Sequence, residues 1–210
     1  KWWPELSQHL QELRVTGGEP LLSKDLWKLL DYFIQHGQGQ TRLAINSNLG
    51  TPDEIFNKFL EKISSLSHLD IYTSCEAMSE QAEYIRDGLN FKNWQARIET
   101  LMQQGGYRHL HMMLTINSLC LFSLPEFLDL MVQWKEKYGI ERAPLWTLNI
   151  LRFPSFMSAL VLPADLRQER HQALQIWVKK NKSNPVISES ELGTVERLVD
   201  YLDVVQTPHK

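Results

Sequence analysis

The segment most capable of close ligand contact is Gly17-Gly18-Glu19-Pro20, which directly follows the apolar run Leu13 to Thr16. Two glycines let the backbone turn sharply and approach a ligand, Glu19 supplies a carboxylate, and Pro20 fixes the exit direction. Alone, this is an ordinary turn with a solvated glutamate, so its meaning depends on what surrounds it. His109 and His111, two apart on a strand-like run, would put two imidazoles on one face, a geometry that can chelate zinc. No third ligand is near them in sequence and they open the run, so lining of a polar surface is the favoured reading. Cys75 and Cys120 are the only cysteines. They exclude a disulfide framework and any cysteine-only zinc or iron–sulfur site built from this chain alone, and they read as small buried thiols.

The elements that must position these groups alternate. Five short apolar or alternating runs, at Leu13 to Thr16, Leu43 to Asn48, Leu69 to Glu76, His109 to Asn117 and Leu145 to Leu151, read as strands. Helical patterns lie between and after them: Lys24 to His36, Pro52 to Ser64, Ser79 to Gln104 with an interruption near Asp87-Gly88, Pro125 to Tyr138, and Ala164 to Lys180. Ser23 and Asp25, Gly37, Thr51-Pro52 and Gly105-Gly106 mark helix ends. A loop at Asn181 to Glu191 precedes a last helix around Leu192 to Val205. Such alternation predicts an α/β fold of βαβ units with parallel strands, either an open doubly wound sheet or a full or partial (β/α) barrel. The tryptophans at 27, 94, 134 and 177 fall in helical patterns and read as packing residues.

Strand parity sharpens the choice, because successive side chains point to opposite faces. Arg14 and Thr16 share one face; so do Asn46 and Asn48; Asp70, Tyr72, Ser74 and Glu76; His109, His111, Met113, Thr115 and Asn117; and Thr147 and Asn149. Leucines and isoleucines fill most of the opposite positions. Every strand thus has one polar face, whereas parallel strands covered on both sides, and closed barrel interiors, are usually apolar. Buried polar groups need partners, so a partly open barrel with a ligand-filled lumen is expected.

With 22 Lys and Arg against 25 Asp and Glu, the chain has no field that gathers nucleic acid or anionic lipid. No apolar run reaches the roughly 18 residues of a membrane span, and Lys1 to Pro4 do not resemble a signal peptide. A cytoplasmic protein without nucleic-acid or membrane partners is expected. Trp2, Trp3 and Leu6 to Leu13 read as a helix end running straight into a strand with no element before it, which suggests an N-terminal truncation.

The strand, Gly-Gly-Glu-Pro and helix arrangement resembles the second strand of radical S-adenosylmethionine (SAM) enzymes. Leu43 to Gly50 resembles that family's third strand, Ser74, Glu76 and Arg86 its fourth strand with a following helical arginine, His109 to Asn117 the fifth, and Leu145 to Pro154 the sixth. The resemblance runs from about Leu13 to Lys180, with Gly-Gly-Glu-Pro its only distinctive string. Asn149 to Pro154, followed by Leu162-Pro163, further resembles the subgroup that carries a twitch domain with an auxiliary cluster. The family's Cys-x3-Cys-x2-Cys loop is absent, its place lying before the start of this chain.

The resemblance implies five or so units of a (β/α)6 radical SAM core over residues 1–181, with 182–210 extending it or leading toward an auxiliary domain. It implies SAM and a [4Fe-4S] cluster in a longer parent protein, an external electron donor, and a small-molecule or peptide substrate from which a 5′-deoxyadenosyl radical abstracts hydrogen. Gly17, Gly18 and Glu19 would meet the methionine amino group. Arg86, with Ser74, would pair with the carboxylate, since a guanidinium fork binds carboxylates bidentately; the ordinary alternative is a helix-surface pair with Glu83 or Asp87. Asn46, Asn48, Glu76 and Asn117 would reach the ribose, and the backbone from Asn149 to Leu151 the adenine. No metal ligand is assigned within the chain, which alone is expected to be inactive. The competing readings are a non-catalytic α/β barrel binding a peptide or small molecule, and an inactive SAM-binding remnant. An aldolase-like or phosphate-binding barrel is disfavoured, because no lysine faces inward and no phosphate-binding glycine loop precedes a late helix.

Overall fold

A computed structural model describes residues 5, 6 and 9–203. Its strands are β1 (Glu12–Val15), β2 (Arg42–Asn46), β3 (Leu69–Ser74), β4 (His109–Ile116) and β5 (Leu145–Ile150). Its longer helices are α1 (Lys24–His36), α2 (Asp53–Ile63), α3 (Ser79–Ile85), α4 (Phe91–Gln104), α5 (Leu124–Tyr138), α6 (Ala164–Asn181) and α7 (Glu189–Leu202). Trp2, Trp3 and part of the helix end expected beside them lie outside the described residues, as does Val205 at the end of the expected last helix.

The sheet is wholly parallel and its strand order follows the sequence, β1-β2-β3-β4-β5. That order decides between the two α/β options. A doubly wound sheet reverses its strand order at a switch point and puts helices on both faces, whereas right-handed crossovers that always step the same way keep them on one. The result is a partial TIM-like barrel.

Burial follows the same division. Leu43, Ile45, Leu69, Ile71, Leu110, Met112, Leu114, Ile116, Trp146 and Leu148 are all buried on the helix side. On β4 the two faces alternate without exception, His109, His111, Met113 and Thr115 being half-buried between fully buried neighbours. Cross-strand register arranges the polar side into rows: Arg14, Ala44, Asp70 and His109; then Asn46, Tyr72, His111 and Leu145; then Ser74, Met113 and Thr147; then Thr115 and Asn149.

Local chemistry sets the helix ends. The Ser23 hydroxyl accepts from the Asp25 amide to open α1, and Gly37 leaves it at a φ of 80°. The long helical pattern breaks where expected: Gly88 adopts a φ of 79°, and the Asn90 carboxamide accepts from the Asn93 amide to start α4. Ser188 and Glu191 form a reciprocal capping box that starts α7 at Glu189, three residues before the expected position. Trp94, Trp134 and Trp177 are buried, and Trp94 lies against both Phe127 and Trp134.

Candidate functional site

The polar face meets solvent and loop backbone at the C-terminal ends of the strands. There Gly17 and Gly18 take φ values of 93° and 48°, a left-handed path that side-chained residues adopt only with strain. A Cβ on either would meet nothing within 4 Å. The glycines therefore serve backbone conformation and leave open space beside the peptide groups.

Glu19 has partners within the chain. One carboxylate oxygen accepts from the Leu21 amide at 3.1 Å and the Ser47 hydroxyl at 2.7 Å, and the other from the Asn48 amide at 2.9 Å. Both oxygens are engaged, so the side chain ties the glycine loop to the loop after β2. Ser47 in turn accepts from the Leu49 amide at 3.0 Å. Sequence reasoning passed over Ser47; its position between Asn46 and Asn48, where β2 gives way to a turn, was the available signal.

Asn46 ends β2 on the polar face, and its carboxamide oxygen is buried without a hydrogen-bond partner. Asn48 lies past the strand end, exposed, with its carboxamide oxygen accepting from the Gly50 amide at 2.7 Å. Asn48, Gly50, Ser74, Arg86, Asn90 and Asn93 line a cavity of about 450 Å³ at the ends of β2 and β3. Three expected cofactor residues therefore share one concavity of ligand-binding size.

Arg86 pairs with neither Glu83 nor Asp87. Its Nε and Nη2 donate to one oxygen of Glu76 at 3.1 and 2.6 Å, and Glu76 is only 3% exposed. Burial raises the Glu76 pKa, and the guanidinium opposes that rise. Glu76 thus holds Arg86, which lines the cavity with N–H groups to spare. Glu83 is used elsewhere, accepting from the Phe91 amide at 2.8 Å.

Asn117 lies just beyond the alternating part of its strand. It follows the last residue of β4, is buried, and its carboxamide oxygen accepts from the Leu119 and Cys120 amides at 2.9 and 3.1 Å, building a turn. Asn149 stays on the polar face of β5 and is exposed, whereas the Leu151 amide donates to the Ile116 carbonyl at 2.9 Å and leaves only its carbonyl for other contacts.

At the other end of the face the His-x-His pair joins a stack. His111 lies parallel to Tyr72 with ring centroids 4.2 Å apart, the Arg14 guanidinium sits 4.6 Å from the Tyr72 centroid, and His109 meets His111 edge-on. Burial lowers the His111 pKa, partly offset by Asp70, favouring neutral imidazole. Asp70 itself is buried beneath Arg108, whose Nε and Nη2 reach its two oxygens at 2.9 and 2.5 Å.

The donor set suits one part of an SAM-and-cluster site. Open glycine backbone and an unsatisfied buried acceptor on Asn46, together with the Ser74 hydroxyl and Arg86 guanidinium that line the cavity at β2 and β3, fit the polar groups of SAM. An iron–sulfur cluster does not fit these residues: Cys75 and Cys120 are fully buried, burial pushes both thiols up to about 12, and among the described residues no three His, Cys, Asp or Glu side chains gather as a metal site. Also among the described residues, no helix is long and apolar enough to cross a membrane.

No protein-family model matches the chain, and no curated protein matches it. Solved structures of similar fold include radical SAM enzymes. A domain of pyruvate-formate lyase-activating enzyme from Bacteroides vulgatus aligns with a TM-score of 0.49 at 16% identity, over 79% of this chain and 93% of that one. Native anSMEcpe with bound AdoMet and the Cp18Cys peptide aligns with a TM-score of 0.50 at 12% identity, over 84% of this chain. This chain spans 48% of that protein, and at such identity the shared property is the fold.

Proposed function

We propose that this chain is the SAM-binding core of a radical SAM enzyme, with residues 1–181 forming the partial barrel and 182–210 extending it. The carrying observation is the unsatisfied, buried oxygen of Asn46 on the strand beside the open Gly17-Gly18 backbone. A buried acceptor without a donor calls for a ligand, and a hydroxyl or ammonium supplies what is missing. The fold shared with a structure that contains AdoMet supports the same reading.

In this proposal the backbone at Gly17 and Gly18 receives the methionine ammonium, Arg86 and Ser74 bind the carboxylate, Asn46 and Asn48 meet the ribose, and the backbone from Asn149 to Leu151 faces the adenine. Glu19 and Glu76 hold the loop and the guanidinium in place, and make no direct contact. When bound at a reduced [4Fe-4S] cluster, SAM supplies hydrogen-abstracting radical chemistry, with cluster ligands contributed from outside these residues and electrons from an external donor. The chain's own part is to orient the cofactor and keep water from it. The substrate class in this reading is a peptide or a small molecule, and the compartment the cytoplasm.

Equilibrium dialysis of this chain against labelled SAM tests the reading without requiring turnover. Saturable binding is expected, weakened on the order of tenfold by Gly17→Val, since a left-handed φ at a branched residue costs about 1–2 kcal/mol. Absence of saturable binding, or full affinity in Gly17→Val, overturns it.

A further inference from the structure

The described residues contain ten arginines. Six form ion pairs, namely Arg14, Arg42, Arg86, Arg97, Arg108 and Arg170. Arg142 and Arg167 instead donate to the carbonyls of Gln103 and Leu160. Among the described residues, Arg152 and Arg197 alone show neither kind of partner, and both line the same cleft of about 690 Å³ between β5 and α7. Two unpaired surface arginines on unrelated elements would be unremarkable; their convergence on one concavity is what calls for explanation.

The cleft is built to hold them. Thr147 and Asn149 enter it from the polar face of β5, and Thr194, Arg197, Asp200 and Tyr201 from α7. The Arg152 guanidinium carbon lies 5.6 Å from the centre of the Tyr201 ring, whose hydroxyl is itself hydrogen-bonded to Ser158 at 3.0 Å. The ring is thereby fixed, and so is the plane on which Arg152 rests. Among the described residues, Asp200 is the only carboxylate lining the cleft and forms no ion pair with Arg197, so two cations face one anion. A planar guanidinium is weakly hydrated and presents a fork that matches a carboxylate or phosphate, which a pair of them can grip from two sides.

We infer that this cleft binds the oxyanion, carboxylate or phosphate, of a small molecule through Arg152 and Arg197. Asn149 and Ile150, whose backbone faces the adenine in the SAM reading, also line this cleft, so its occupant would adjoin the cofactor there. Taking that occupant for the substrate rests on the SAM reading; the binding itself does not.

The test is a thermal-shift titration of the whole chain at constant ionic strength with inorganic phosphate, with succinate, and with glycerol as the uncharged control. At least one oxyanion is expected to stabilise the chain saturably, phosphate or succinate identifying which chemistry the cleft prefers. Its apparent affinity should fall on the order of tenfold in Arg152→Gln and in Arg197→Gln, vanish in the double variant, and stay unchanged in Arg167→Gln. A second double variant, Arg152→Lys with Arg197→Lys, keeps both charges and guards against a folding defect; it should bind more weakly than the parent and more tightly than the glutamine pair. Failure of both oxyanions to saturate, or parental affinity in the glutamine pair, overturns the inference. SAM dialysis with Gly17→Val is read separately, so the two proposals fail independently.

Discussion

Lys135 on α5 and Glu191 on α7 form a buried ion pair, with the ammonium 2.5 and 2.6 Å from the two carboxylate oxygens and both side chains almost wholly removed from water. Glu191 also accepts from the Trp146 amide at the start of β5 and from the amide and hydroxyl of Ser188. Lys135 in turn sits 4.4 Å from the centre of the Trp146 ring. One carboxylate thus joins two helices to the last strand. Lys135→Ala would leave that carboxylate buried without its cation, and should cost about 3–5 kcal/mol in urea unfolding. Replacing both partners, Lys135→Met with Glu191→Gln, should recover part of the loss. Additive losses in the double variant would show that the two residues are not coupled.

Glu76 gives the protein a pH signature. Burial, outweighing Arg86, raises its folded pKa above the ordinary 4.5. Between 4.5 and that higher folded value the native state holds the proton more tightly than the unfolded chain does, so this residue's contribution is fully present below 4.5 and declines as pH rises through the window. Urea unfolding across mildly acidic pH should show the decline in the parent and its loss in Glu76→Gln. Identical pH slopes would contradict the assignment.

Both cysteines are fully buried, with thiols pushed up to about 12. The reactive species is the thiolate, so neither should react readily with a disulfide reagent in the native chain at neutral pH, and both should react at once in denaturant. Rapid native labelling of either would place it in a more open environment than the one described.

Glu19 should matter to ligand binding through geometry. Glu19→Gln keeps the size of the side chain but provides one carbonyl oxygen where two carboxylate oxygens accept three hydrogen bonds, so about 1–2 kcal/mol of stability should be lost. SAM affinity should fall with it, and Ser47→Ala, which removes one of the three donors, should reproduce a milder version of both effects. Unchanged SAM affinity in Glu19→Gln would separate the loop tie from the cofactor site.

Much of the architecture was legible because period-two alternation survives along β3, β4 and β5, and because Ser23, Gly37 and Gly88 write helix ends into local sequence. The partners of the site residues were harder to read where that regularity stops. Asn48, Glu76 and Asn117 all follow the last residue of their strands, where the chain no longer alternates and parity has no meaning. Arg86, which caps the C-terminal end of α3, found its partner ten residues back, before that helix starts and beyond the reach of helix-surface spacing. Lys135 and Glu191 lie on helices separated by a strand and a further helix, so nothing local announced their pairing. The earlier start of α7 was available, since Ser188 and Glu191 stand at capping-box spacing.

The one-sided placement of the helices has a bearing on how such a chain diversifies. Along each strand, adjacent codons answer to different pressures: one residue keeps the scaffold folded and the next is free to choose chemistry. Ser74, Met113, Thr147 and Asn149 can therefore be randomised together without touching the leucines and isoleucines between them. A library confined to those four positions should yield mostly folded variants with altered ligand preference, making the sheet a natural substrate for selection.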